Sequence, residues 1–242
     1  MVAREREVTQ PPGIAGAYSQ LRPAGRHESG RDVRDPSAHR FWYSRGYLPH
    51  CDVPGLLQAI TFRLADSLPE EALSRLQQED NNLIRRKRID AWLDAGHGAC
   101  WLAQSAIADI VEDVLLHDDG KHYRLIAWCV MPNHVHVLIE TISGFVLPSV
   151  VQSWKSVSSK RINKKLGRTG KVWMADYFDR YIRDDNHLAA VIAYIHNDPV
   201  TAGLVKEASN WRHSSAGIAG VPPACGRDAR DRVPGMGQYL LS

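Results

Sequence analysis

The 242-residue chain has no paired-cysteine pattern: Cys51, Cys100, Cys129 and Cys225 are scattered, with no Cys-x-x-Cys among them. That excludes a disulfide framework and a zinc knuckle and points to a reducing compartment, the cytoplasm. There is no run of about 18 apolar residues, so no membrane span is expected. The N-terminus shows no signal-peptide core, and no internal repeat is visible. An excess of one charge is also missing. The net charge is +3 with a pI near 8.7, which by itself names no nucleic-acid partner; only local clustering can. The apolar content, 44%, suffices for the core of one sizeable domain with tails.

Against that background one stretch stands out, Leu125 to Glu140, which reads as strand, turn, strand. The first apolar run stops at Pro132-Asn133, a turn pair. In the second, His134, His136 and Leu138 alternate with Val135, Val137 and Ile139. Residues two apart on a strand share a face with Cα atoms about 6.5–7 Å apart, so two imidazoles can close on one divalent cation. The plain alternative is a pair of solvated or core histidines at a strand start. Unpaired polar rings are costly in so apolar a run, which favours a site.

Around this hairpin the pattern is mixed. Residues 1–40 are rich in Pro, Gly, Arg and Asp and read as a disordered basic arm, whose arginines either touch phosphates or are simply solvated. The aromatic-basic cluster from Phe41 to Tyr47 suits base stacking or packing at the domain edge. The segment 57–64 looks like the first strand, with Gln58, Ile60, Phe62 and Leu64 on one face. Ser67 can cap a polar helical stretch that runs to Asp94, carries Arg85-Arg86-Lys87-Arg88 and ends at Gly96 and Gly98. The spacing of Ile107, Ile110, Val111, Val114 and Leu115 predicts an amphipathic helix, closed by Asp118-Asp119-Gly120. A strand over 123–130 precedes the histidine strand.

A helix over 149–166 is expected to bury Val150, Val151, Trp154 and Val157. Lys155, Lys160, Arg161, Lys164 and Lys165 make its other side basic, with no acid among them. That exceeds an ordinary mixed surface and makes these five residues candidates for DNA phosphate contact; the bland reading is a solvated face. A last strand spans 177–183. Asp184-Asp185-Asn186 then caps a helix that buries Leu188, Val191, Ile192 and Ile195, and Pro199 is expected to end or kink it. Residues 219–242 read as a disordered tail, leaving 41–218 as the domain. The order strand, helix, strand, strand, helix, strand suggests an α+β, ferredoxin-like unit with a helical insertion after its first strand.

Met131-Pro132-Asn133-His134-Val135-His136, together with Tyr194-Ile195-His196-Asn197-Asp198-Pro199-Val200 further on, resembles the REP-associated tyrosine transposases. These are single-tyrosine members of the His-hydrophobic-His nuclease superfamily. The resemblance covers roughly residues 41–215, with both motifs in the family's order and at its spacing. It implies an antiparallel sheet backed by helices, with the tyrosine on an added C-terminal helix. It implies that Tyr194 is the nucleophile, forming a 5′-phosphotyrosine link, and that His134 and His136 hold a cation with an oxygen ligand four residues after the tyrosine. That position is Asp198, although the following Pro199 disfavours helical geometry there and leaves Asn197 open. Mg²⁺ or Mn²⁺ suits the mixed ligands. The implied partner is single-stranded or hairpin DNA, handled by a monomer or a homodimer. Two other functions remain: a hairpin-binding protein that no longer cuts, and a hydrolase using water, for which Glu140 is the only base in the strand.

Overall fold

The structure, a computed structural model, describes residues 41–44, 49–52, 55–69, 72 and 82–218. The expectations for 1–40 and 219–242 fall outside them, as do the side chains of Phe41, Trp42 and Tyr43.

The central sheet has four antiparallel strands: β3 (Leu57–Arg63), β4 (Tyr123–Val130), β5 (His134–Thr141) and β6 (Phe178–Tyr181), in the order β4-β5-β3-β6. Taken in chain order, that is the ferredoxin-like arrangement the sequence pattern suggests. A hairpin that the pattern does not reveal, β1 (Phe41–Ser44) with β2 (Pro49–Asp52), precedes β3, so 57–64 is the first strand of the main sheet but not of the described chain. Between β3 and β4 lie α1 (Asn82–Asp94) and α2 (Ser105–His117). α2 packs on the sheet, and α1 belongs to the insertion.

The sheet separates two cores. Val135, Val137 and Ile139 point to one face, where they meet Ile60, Phe62 and Leu64, Val111 and Leu115 of α2, and Val151 and Trp154 of α3 (Leu147–Lys165). His134, His136 and Leu138 point to the other, which is covered by Leu188, Val191 and Ile195 of α4 (Asp185–Thr201). The alternation read from the sequence is therefore the partition between two apolar layers. Burying each such aliphatic side chain contributes roughly 1.5–3 kcal/mol.

Two helix expectations change. Val157 is 43% exposed, and Ser158 and Ile162 take the inward row instead. The i, i+4 line from Trp154 sets that row. Ser158 is tolerated there because its hydroxyl donates to Trp154 O (2.6 Å) and accepts Trp173 Nε1–H (2.8 Å). α4 does not end at Pro199 but runs to Thr201. Proline costs the bond to Ile195 O, yet Ala202 N still donates to Asp198 O (2.9 Å) and Leu204 N to Pro199 O (2.9 Å). Ile192 is only half-buried. At the other end, Asp184 caps α4 by accepting His187 N–H at 2.7 Å.

The exit from α1 needs glycine at 98. Its φ is +87°, and a Cβ there would lie 2.5 Å from Asp66 O.

A buried charge cluster away from the histidine pair escaped the sequence reading. His50 on β2, fully buried, lies between Asp179, hydrogen-bonded to Nδ1, and Asp176, 3.1 Å from Nε2. Burial opposes its charge, but the two carboxylates outweigh it and raise the pKa from 6.5 to about 9. A folded pKa above the unfolded one means that this stabilisation is complete below pH 6.5 and is lost as pH rises through about 9. Its size is about 3 kcal/mol. Urea unfolding at several pH values should show wild-type stability falling over this window, while His50→Gln shows a flat profile. Parallel profiles would refute the assignment.

Candidate metal and nucleophile site

The start of β5 carries His134 and His136, 1% and 3% exposed. Their Nε2 atoms lie 3.0 Å apart. Asp198 Oδ2, on α4, is 3.3 Å from Nε2 of His134 and 3.5 Å from Nε2 of His136. Asp198 is 2% exposed, whereas Asn197 faces solvent. Because α4 continues through Pro199, Asp198 keeps the helical face of Tyr194, four residues earlier. The Tyr194 ring is half-buried and stands edge-on to His136, centroids 5.2 Å apart.

The ring orientation of His134 follows from its neighbours. Asn133 Nδ2–H donates to Leu93 O and His97 O, both at 3.1 Å. The amide oxygen is thereby turned to His134 Nδ1 at 2.8 Å, so Nδ1 carries the hydrogen. Nε2 is left with a lone pair facing His136 and Asp198. Thr61 Oγ1 holds Nδ1 of His136 at 2.8 Å. Burial, only partly offset by the nearby Asp198 carboxylate, lowers the pKa of His134 to about 4, so the ring is neutral at pH 7. Burial alone would push Asp198 up, but its contacts with His134 and His136 outweigh this and hold it well below the usual carboxylate range.

These residues suit a divalent cation. Two donors about 2.1 Å from one ion lie about 3.0 Å apart at a right angle and about 3.4 Å apart at the tetrahedral angle. The three separations here are of that size. A neutral imidazole lone pair and a buried carboxylate converging on one point, with imidazole Nδ1 atoms held from behind, form a donor set that a cation satisfies.

Other residues able to carry chemistry are dispersed. Glu140 lies at the far end of β5, paired with Arg124, which removes it from the histidines. His196 bonds Ser215 Oγ at 2.8 Å, and His187 Nδ1 accepts Arg183 N–H; neither faces the pair. Tyr177 is buried beside His50. On α3, Lys160, Lys164 and Lys165 are exposed. Arg161, also exposed, pairs with Asp113 at 2.7 Å. Lys155 Nζ donates to the carbonyls of Met174, Ala175 and Asp176 at 3.0–3.2 Å. α3 lies across the sheet from the histidines, but its basic end leads into a loop that returns towards them. Val172 O accepts Ala65 N–H, next to Leu64, whose N–H donates to Asn133 O.

The sequence reading missed Asn133 and Thr61, and also Asp94 at the end of α1. Burial, then Asp198 and Asp90, push Asp94 up to about 6. A second His-acid group, Asp109, Glu112 and His213, is already committed: Arg212 pairs with Asp109, and Trp128 Nε1–H donates to Glu112. Among the described residues no helix is long and apolar enough to cross a membrane.

Residues 104–198 match the family model described as "Transposase IS200 like". A Haemophilus influenzae protein named for the REP-associated tyrosine transposases is 27% identical over 107 residues, 39% of this chain. The match spans 61% of that relative's length. The structure of a REP-associated tyrosine transposase bound to a REP hairpin aligns with a TM-score of 0.47 and 18% identity, covering 76% of this chain and 91% of that one. A candidate transposase from Deinococcus radiodurans aligns at 0.31 and 20%, covering 64% and 96%. The family segment contains both histidines and Tyr194 and ends on Asp198.

Proposed function

We propose, from the premise that this chain is a relative of the REP-associated tyrosine transposases, that it cuts and rejoins single-stranded DNA beside a hairpin through a covalent link to Tyr194. The observation that carries the reading is the convergence of His134 Nε2, His136 Nε2 and Asp198 Oδ2 one helical turn from Tyr194. His134, His136 and Asp198 would hold Mg²⁺ or Mn²⁺. When bound, such an ion supplies Lewis-acid polarisation of a phosphate oxygen and favours the phenolate.

The protein's own part is positional. Tyr194 Oη attacks phosphorus, an O–P bond forms and the bond to the 3′-oxygen breaks. The phenolic proton leaves to solvent and the departing 3′-oxygen takes one up, so the exchange is neutral in protons. The phosphodiester energy stays in the tyrosyl link, and a 3′-hydroxyl reverses the step. The His136 ring against Tyr194 limits the directions the phenol can take. Asn133 and Thr61 fix the two imidazoles.

DNA contact falls to the exposed cations Lys160, Lys164 and Lys165, with Arg161 available once it releases Asp113. Lys155 contributes by fixing the loop at Met174–Asp176. Each phosphate contact on a single strand adds about −0.7 to the log–log salt slope. Replacing Lys160, Lys164 and Lys165 by Ala should therefore flatten the slope by roughly two units. An unchanged slope would make α3 a solvated face.

The direct test is a denaturing gel after incubation of labelled hairpin DNA with Mn²⁺. A protein–DNA band supports strand transfer. A shift in native gels alone indicates a hairpin binder, and cleavage without an adduct a hydrolase.

A further inference from the structure

We infer that Asp94, at the C-terminal end of the inserted helix α1, is an outer ligand of the cation site formed by His134, His136 and Asp198. This rests on reading that group as a cation site and adds a second carboxylate to it. Asp94 lies ahead of the segment that matches the transposase family, so the family motif does not supply it.

Three observations carry the assignment. Asp94 Oδ1 is buried and has no hydrogen-bond partner among the described residues. The carboxylate lies within electrostatic reach of Asp198, which repels it. And the end of α1 is tied to the site by one side chain: the Asn133 amide donates to Leu93 O and His97 O on either side of Asp94 and accepts His134 Nδ1–H. The position of Asp94 is therefore fixed relative to His134, although 40 residues separate them in sequence.

Two carboxylates within electrostatic reach of one another, each with oxygen withdrawn from water, are unfavourable without a compensating cation. A divalent ion between the histidines and Asp198 turns the repulsion into attraction for both acids. Asp94 is not among the three donors that lie within 4.8 Å of one another. It therefore acts through a water, accepting a hydrogen bond from it and orienting it towards the ion. The chemical consequence is a preference for hard, oxygen-seeking divalent cations over soft ones.

The test uses the full chain and Mn²⁺ alone. Binding is followed by the electron spin resonance of free Mn²⁺, and melting is measured with and without the ion. Asp94→Asn should weaken Mn²⁺ binding about tenfold or more. Its metal-free melting temperature should stay level or rise, because the repulsion with Asp198 is gone. Asp94→Glu should recover part of the affinity. Wild-type affinity in Asp94→Asn, or a loss matched by a fall in metal-free melting temperature, would overturn the inference. His136→Ala separates the two levels of the argument. If it loses Mn²⁺ while Asp94→Asn does not, only the role of Asp94 fails. If it binds as wild type does, or the wild type binds none, the cation site fails and Asp94 with it.

Discussion

Tyr194→Phe is expected to abolish the covalent protein–DNA product and strand cleavage together, by about four orders of magnitude or more. The substitution removes one oxygen and almost no volume. The ring that stands edge-on to His136 is kept, so unfolding free energy should change by no more than about 1 kcal/mol. Affinity for a hairpin should also be kept, because the cations of α3 lie across the sheet and are untouched. Of the other tyrosines, Tyr177 is poorly placed for attack: it is buried against His50 on the other face, under the Lys155 ammonium. Peptide mapping of the wild-type adduct decides the point. A nucleotide on any residue other than Tyr194 would refute the assignment.

Periodicity revealed what local spacing controls. Alternation along β5 separated the two cores, and the i, i+3, i+4 pattern of α2 located its buried stripe, because each depends on neighbours within one element. The errors came from competition between local and tertiary terms. Val157 is the more apolar residue, but the row from Trp154 runs through Ser158, whose hydroxyl finds two partners. Pro199 argues locally for a helix end, yet tertiary packing carries α4 past it and thereby settles Asp198 over Asn197 as the residue facing the histidines. The parts that Asn133 and Thr61 play in orienting the two imidazoles were not legible. Thr61 meets His136 only across the sheet, and the orientation of Asn133 is set by carbonyls of Leu93 and His97 some 40 residues earlier, so neither leaves a spacing to read. The His50–Asp176–Asp179 cluster is of the same kind: the separate β1-β2 hairpin meets β6 and the residues before it only in the folded chain.

His136→Ala should lose Mn²⁺-dependent cleavage altogether while binding hairpin DNA nearly as well as the wild type. The imidazole is one of two nitrogen donors in a set of three, and a site reduced to His134 and Asp198 lacks the ligands to hold an ion at working concentrations. Phosphate contact is undisturbed, since no cation of α3 is removed. Melting curves give a second readout. Mn²⁺ stabilises only a folded state that binds it, by about 2.7 kcal/mol at a hundred times its dissociation constant. The wild-type melting temperature should therefore rise with Mn²⁺, and that of His136→Ala should not. His134→Ala should behave alike towards the ion but also lose stability without it, because Asn133 Oδ1 is left without its donor in the interior, at a cost of about 1–3 kcal/mol. The difference between the two variants measures what Asn133 contributes by fixing the ring. Full cleavage by either variant in Mg²⁺ or Mn²⁺ would remove the cation from the reaction and leave the histidines as packing for α4.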